Sequence, residues 1–161
     1  TRNDYWFFDI FHIFRIMLSS KNKEKIYIKC IESIKSTSES NKLKFISKLL
    51  FESFESWIFC GFYFQENDKL LVSEYCANKI PCSPINFDGV CGTSILKNKI
   101  LNIENVNTFQ GHIVCDKNSK SELCIPFEMN GINYVLDVDS NVRNAFCEID
   151  EKFLAEIIKK I

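Results

Sequence analysis

Apolar and polar positions in the first third of the chain follow a helical period. Apolar residues recur every three or four positions within residues 5–19, 24–36 and 43–55, as they do in amphipathic helices. A Ser-rich stretch, residues 37–41, separates the second and third segments and offers a helix N-cap. The pattern therefore predicts three helices before residue 56.

The pattern changes to extended apolar runs at residue 57. Residues 57–64 and 69–76 are nearly continuous apolar runs joined by a short polar break, which is typical of a β-hairpin. Residues 122–128 and 132–139 repeat this arrangement around a turn that contains glycine. Two hairpins predict an antiparallel sheet.

The remaining segments connect the hairpins and close the chain. We expect a long functional loop, a short helix, a short strand, a polar loop and a closing helix, at residues 77–89, 90–97, 99–103, 104–121 and 144–161. Helices packed on an antiparallel sheet make an α+β domain. We divide the chain into an N-terminal helical extension, residues 1–37, and one domain, residues 38–161.

Composition and charge exclude several classes of protein. Hydrophobic residues make up 46% of the chain, which excludes a disordered protein. The net charge is −1 and no basic stripe is visible, so we expect no nucleic-acid partner. The apolar residues 5–18 fall short of the roughly 20 residues of a membrane span. We expect an amphipathic helix docked on the domain or on a partner chain, with membrane-surface binding as the alternative.

Eight cysteines require an explanation. The chain has no recognisable signal peptide and no CxxC pair, and the only close His and Cys are His112 and Cys115. We therefore expect neither a disulfide framework nor a zinc site, and a reducing cytoplasmic setting fits better. Four cysteines lie in apolar surroundings and are expected to pack as small hydrophobic residues: Cys30, Cys60, Cys124 and Cys147.

Three other cysteines are candidates for chemistry because they lie in loops or at a helix start. Cys91 begins the predicted short helix, where unsatisfied N–H groups and the helix dipole lower a thiol pKa. Cys115 precedes Asp116 in a largely polar loop, and Cys82 lies in the long loop. The alternative is a set of scattered free thiols.

Carboxylates form a second candidate group. Asp137 and Asp139 alternate with apolar residues and so project from the same face of the sheet. Glu122 begins the partner strand of that hairpin and should lie opposite them. Three acids facing one point could bind a metal or an ammonium group, and the alternative is an exposed, charged strand end.

Five short motifs carry a resemblance to a known family. They are GFY at residues 61–63, GVCGT at 89–93, GHIVCD at 111–116, SE at 121–122 and LDVDS at 136–140. Over residues 38–161 the chain resembles the free methionine-(R)-sulfoxide reductases, which are GAF domains. The resemblance implies a GAF-type fold and a thiol-dependent reductase without a cofactor.

The resemblance also implies roles for the three cysteines. Cys115 would attack the sulfoxide sulfur, methionine would leave, and a sulfenic acid would remain. Cys91 or Cys82 would then form a disulfide with it, which thioredoxin would reduce. Whether Cys91 or Cys115 attacks first is left open.

The same resemblance implies a substrate site. Glu122, Asp137 and Asp139 match the family's substrate acids, and their carboxylates suit the ammonium of a free amino acid. Phe59, in a position where the family usually has Trp, would hold the substrate methyl group with Tyr63, and Asp116 joins the site through its motif.

The implied partners are free methionine-(R)-sulfoxide, thioredoxin and a second copy of the chain. Two alternatives remain open. One is a non-catalytic GAF module that binds a small molecule or a partner. The other is a metal-binding hydrolase that uses the acids, although neither His12 nor His112 is near them in sequence.

Overall fold

The computed structural model describes residues 4–111 and 115–161, with side chains from residue 19 onward. Four α-helices and five strands follow one another in the described residues. They are α1 (Asp4–Ser36), α2 (Lys42–Ser53), β1 (Trp57–Glu66), β2 (Lys69–Ala77), α3 (Val90–Lys97), β3 (Leu101–Ile103), β4 (Ser121–Met129), β5 (Ile132–Ser140) and α4 (Glu148–Ile158). A 3₁₀ turn, Val106–Thr108, lies within the predicted polar loop.

The strands form one sheet in the order β2-β1-β5-β4-β3, and every pairing is antiparallel. The α+β class and both predicted hairpins are therefore confirmed. The second hairpin turns at Asn130 and Gly131, whose φ angles are +54° and +76°. Two successive residues with positive φ are what a two-residue hairpin turn requires.

The N-terminal helices differ from the prediction. Residues 5–19 and 24–36 form one continuous helix, α1, where two were expected. The polar residues 19–23 between them include neither Pro nor Gly, and Lys, Ser and Asn are tolerated in a helix. A polar stretch therefore did not interrupt the backbone hydrogen bonds. The predicted N-cap is confirmed at Asn41, whose side chain accepts a hydrogen bond from the Lys44 N–H.

The predicted closing helix lies within residues 144–161: it begins at Glu148, and its N-cap is Cys147. The Cys147 N–H donates to the Asp150 carboxylate at 2.8 Å. Cys147 is exposed, so its predicted packing role is wrong. Apolar neighbours in sequence misled the prediction, because Cys147 lies at the N-cap of α4, before the buried face of the helix begins.

The sheet separates two apolar clusters. One face packs against α1, α2 and α4, and includes Leu136 and Val138 of β5. The other face packs against α3 and the loop before it, and includes Val135. Alternation along β5 thus places Asp137 and Asp139 on the second face, away from the three long helices.

The second half of α1 contributes to the first cluster. Tyr27, Cys30, Ile31 and Ile34 are all buried there, together with residues that follow position 37. The division of the chain at residue 37 stays a prediction. Among the described residues, none of the helices combines the length and apolar character needed to cross a membrane.

Candidate active site

Strand register brings the predicted acids together. Glu122 of β4 lies opposite Asp139 of β5, and Cys124 lies opposite Asp137. Since side chains on one strand alternate between faces, these four side chains project from one face of the sheet. The predicted convergence of the three carboxylates is confirmed.

The loop between β2 and α3 covers this face and encloses a cavity of about 50 Å³. One water molecule needs about 10–15 Å³, so the cavity can hold several polar atoms of a small ligand. Its walls combine acids, thiols and apolar groups. The chemistry-bearing side chains among them are Phe59, Tyr63, Lys79, Cys91, Cys115, Asp116, Ser119, Glu122, Asp137 and Asp139.

Burial shifts two of the acids, Glu122 and Asp137, toward their protonated forms. The pKa of Glu122 is raised well above its usual value, first by burial and then by the charge of Asp139. The pKa of Asp137 is raised in the same way by burial, Asp139 and Glu122. A cation in this cavity would favour the ionised carboxylates, because it offsets both effects.

Cys91 differs from its prediction. It lies in the first turn of α3, yet its pKa is raised well above the usual range for a thiol. The hydrogen bond with Cys124 lowers it, but burial and the charges of Asp137 and Glu122 together exceed that effect. The predicted lowering of the Cys91 pKa is therefore wrong. Burial and the two nearby acids raise this pKa by more than the start of a short helix can lower it.

Cys124 was expected only to pack, and it also belongs to the site. It is fully buried, as predicted, but its Sγ lies 3.3 Å from Glu122 Oε1 and 3.7 Å from Asp137 Oδ1. Its Sγ is 3.5 Å from Cys91 Sγ. The signal in the sequence was its spacing, since Cys124 follows Glu122 by two positions and must share its face.

Cys82 and Cys115 are joined by a disulfide, with their Cα atoms 5.6 Å apart. Each cysteine lies in a loop beside the sheet, so the bond ties together the two loops that flank the cavity. The Tyr63 hydroxyl donates a hydrogen bond of 2.9 Å to the Cys82 carbonyl. Burial and the charge of Asp137 raise the pKa of Tyr63, which keeps its hydroxyl a donor.

Two polar side chains that the sequence did not single out complete the site. Lys79 Nζ lies 2.8 Å from Asp116 Oδ1 and, with the Asn118 N–H, lowers the pKa of that carboxyl. Ser119 donates a hydrogen bond of 2.8 Å to Asp139 Oδ1. Both lie in the loops that carry Cys82 and Cys115, and neither stands in a recognisable motif.

The structure thus places every predicted site residue at or beside one cavity. All of them line it except Cys82, which is bonded to Cys115. Phe59 and Tyr63 are buried with their ring centroids 6.1 Å apart. Residues 112–114 of the GHIVCD motif, including His112, lie outside the described residues.

Several known proteins are similar to this chain in sequence and in fold. The free methionine-R-sulfoxide reductase of Escherichia coli is 38% identical over 117 residues, covering 71% of this chain and 70% of that protein. The chain belongs to the free methionine-R-sulfoxide reductase family. GAF domain-containing protein A of Dictyostelium discoideum is 36% identical over 149 residues, covering 88% of this chain and 94% of that protein.

A solved member of the reductase family has the same fold. The free methionine-R-sulfoxide reductase from Neisseria meningitidis, in complex with its substrate, superposes with a TM-score of 0.77. The match covers 88% of this chain and 87% of that one at 26% identity. The GAF-type fold implied by the motifs is therefore confirmed. No family model matches the chain.

Proposed function

We propose that this chain reduces free methionine-(R)-sulfoxide to methionine, with Cys115 as the nucleophile. One observation carries the proposal: Cys115 lines the same small cavity as three carboxylates. A thiol is needed to accept the sulfoxide oxygen, and acids are needed to hold the ammonium of a free amino acid. Membership of the reductase family supports the same reaction.

The first step transfers oxygen from substrate to enzyme. The Cys115 thiolate attacks the sulfoxide sulfur, methionine leaves as the thioether, and Cys115 keeps the oxygen as a sulfenic acid. Two electrons pass from the cysteine sulfur to the substrate sulfur. Glu122 or Asp137 donates the proton that the sulfoxide oxygen takes up, since burial raises the pKa of both carboxyls and favours their protonated forms.

The second step forms a disulfide and releases water. The Cys82 thiol attacks the Cys115 sulfenic acid, and the hydroxyl leaves with a proton as water. The Cys82–Cys115 bond supports Cys82 as the resolving thiol. Thioredoxin then returns both thiols by disulfide exchange. The buried Cys91, whose pKa is raised, is better suited to hydrogen bonding than to attack.

A coupled assay tests the activity. Free L-methionine-(R)-sulfoxide is supplied with thioredoxin, its reductase and NADPH, and NADPH loss is followed. We expect turnover of the R epimer alone, none after Cys115→Ser, and full turnover after Cys76→Ser, which changes a thiol outside the cavity. Ligand binding without turnover would favour the non-catalytic GAF module, and equal turnover of both epimers would refute the proposal.

A trapping experiment separates the two candidate nucleophiles. In Cys82→Ser the sulfenic acid cannot be resolved by Cys82, so one equivalent of substrate should leave a dimedone adduct on Cys115. Peptide mass spectrometry locates the adduct. An adduct on Cys91 would reverse the assignment without affecting the overall reaction.

Substrate selectivity follows from the acids. N-acetylation removes the ammonium charge that Glu122, Asp137 and Asp139 would bind. A hydrogen bond to a charged group contributes about 1.5–3 kcal/mol, so kcat/KM for N-acetyl-methionine sulfoxide should fall by at least about tenfold. Equal rates on the free and acetylated compounds would exclude ammonium recognition by the cavity.

We also propose a homodimer in a reducing cytoplasm, with residues 1–37 as a helical extension of the GAF domain at residues 38–161. The free buried thiols Cys30 and Cys60 suit a reducing compartment, and the apolar residues 5–18 suit a contact with a second chain. Light scattering on the whole chain should give twice the monomer mass of 18.8 kDa. A measured mass equal to that of the monomer would refute the proposed dimer.

A further inference from the structure

Four metal-ligating side chains converge at the cavity, and three of them are among its lining residues. Cys91 comes from α3, Glu122 and Cys124 from β4, and Asp137 from β5. One ligand atom from each lies within 4.8 Å of the others, and all four residues are buried. The sequence predicted no zinc site because close ligand pairs were missing, whereas here the fold assembles the ligands from three elements.

The separations match the edges of a tetrahedral metal site. Zn–S bonds of about 2.3 Å and Zn–O bonds of about 2.0–2.2 Å place two sulfurs about 3.8 Å apart and a sulfur and an oxygen about 3.5–3.7 Å apart. The two Sγ atoms are 3.5 Å apart. Glu122 Oε1 lies 3.9 Å from Cys91 Sγ and 3.3 Å from Cys124 Sγ. Asp137 Oδ1 lies 3.7 Å from Cys124 Sγ.

The donor types select the class of ion. Two sulfurs disfavour calcium and magnesium, which prefer oxygen ligands throughout. Two thiolates with two carboxylates suit a tetrahedral ion of intermediate softness such as Zn²⁺. Such an ion would also offset the mutual repulsion of Glu122, Asp137 and the nearby Asp139, which burial strengthens.

We propose that Cys91, Cys124, Glu122 and Asp137 form a binding site for a single Zn²⁺-class ion. The site is separate from Cys82 and Cys115, so the ion binds while their disulfide is formed. It occupies two of the acids that would hold the substrate ammonium. If the proposed reductase function holds, metal and substrate therefore exclude each other.

Titration of the disulfide-bonded protein with Cd²⁺, a spectroscopic substitute for Zn²⁺, tests the site. Oxidising Cys82 and Cys115 removes the other two thiols that line or flank the cavity. We expect one ion per chain and a thiolate-to-metal charge-transfer band. Cys124→Val should weaken binding by at least about tenfold, because even the outer hydrogen-bond partners of metal ligands change affinity about 10–100-fold. Cys76→Ser, a thiol in β2 outside the cluster, should bind as the parent does.

A second variant keeps the test decisive if Cys124→Val does not fold. Glu122→Gln retains both thiols and removes one oxygen charge, and it should also weaken Cd²⁺ by at least about tenfold. Circular dichroism of each metal-free variant checks the fold. The proposal is overturned if the parent shows no thiolate band, or if a folded Cys124→Val or Glu122→Gln binds Cd²⁺ as tightly as the parent. None of these outcomes depends on reductase activity.

Discussion

The buried carboxylate of Glu122 favours the binding of a cation but lowers the stability of the ligand-free protein. Its carboxylate is buried beside Asp139, and burial and that charge raise its pKa. The same arrangement that suits a bound cation therefore destabilises the ligand-free protein, because each buried charge loses water and faces another. A site of this kind is preorganised for its ligand and stabilised by it.

Glu122→Gln should separate these effects through pH. With a raised folded-state pKa, the folded protein keeps a proton that the unfolded chain releases near its usual value of about 4.3. The stabilisation from Glu122 is thus complete below that pH and is lost as pH rises. The difference between the Tm of the variant and that of the parent, both measured without ligand, should therefore increase in favour of the variant from pH 5 to pH 8.

The control for this comparison is Glu128→Gln, an exposed glutamate on the same strand. The Tm of Glu128→Gln should differ from that of the parent by the same amount at pH 5 and at pH 8. A Glu122→Gln protein whose Tm difference from the parent stayed constant with pH would show that burial does not raise this pKa.

At the scale of elements, α3 is positioned by close contact with the loop before it. A Cβ on Gly92 would lie 2.2 Å from Phe87 Cα, so only glycine allows this approach. The contact holds the first turn of α3, and Cys91 with it, against the acids. Packing therefore explains the second glycine of the GVCGT motif, Gly92.

Gly92→Ala should displace the start of α3. The clash involves backbone, which cannot rotate away, so we expect a destabilisation of about 1–3 kcal/mol and a loss of Cd²⁺ binding through Cys91. Thermal melting and the Cd²⁺ titration measure the two effects. Leu96→Ala, at a position of the same helix that is 71% exposed, should change stability by less than about 0.5 kcal/mol. Equal behaviour of the two variants would contradict this account.

At the scale of the molecule, the sheet keeps the reactive cavity apart from the main core. The long helices cover one face, and a buried polar contact connects the first helix to the last. Tyr27 donates a hydrogen bond of 2.8 Å to Asp150 Oδ1, and Lys23 Nζ lies 2.6 Å from Asp150 Oδ2. Asp150 also accepts the hydrogen bond from the Cys147 N–H at the N-cap of α4, so this contact holds the start of α4 against α1.

Tyr27→Phe should destabilise the whole molecule without altering the site. Removing the hydroxyl leaves a buried carboxylate with one hydrogen bond fewer, which costs about 1–3 kcal/mol. A loss of about 2–4 °C in Tm per kcal/mol is expected for a chain of this length. Tyr75→Phe, on the half-exposed Tyr75, should melt like the parent. A Tyr27→Phe protein as stable as the parent would show that the contact contributes little.

Local pattern was sufficient for much of the fold and for part of the site. Alternation in β5 placed Asp137 and Asp139 on one face, and the glycine turn fixed the register that brings Glu122 opposite them. Alternation in β4 likewise placed Cys124 on the same face as Glu122, but the apolar neighbours of Cys124 favoured a packing role. The continuity of α1 was missed because polar residues weaken a periodic pattern without breaking a helix.

The sequence by itself determined the α+β class, the hairpins, the motifs and the reactive residue types, because these depend on neighbours along the chain. Tertiary structure decided which thiols meet which groups. It paired Cys82 with Cys115, and it set Cys91 and Cys124 against buried carboxylates. Charge and burial in three dimensions reversed the expected shift of the Cys91 pKa, since desolvation and facing charges depend on residues far apart in sequence.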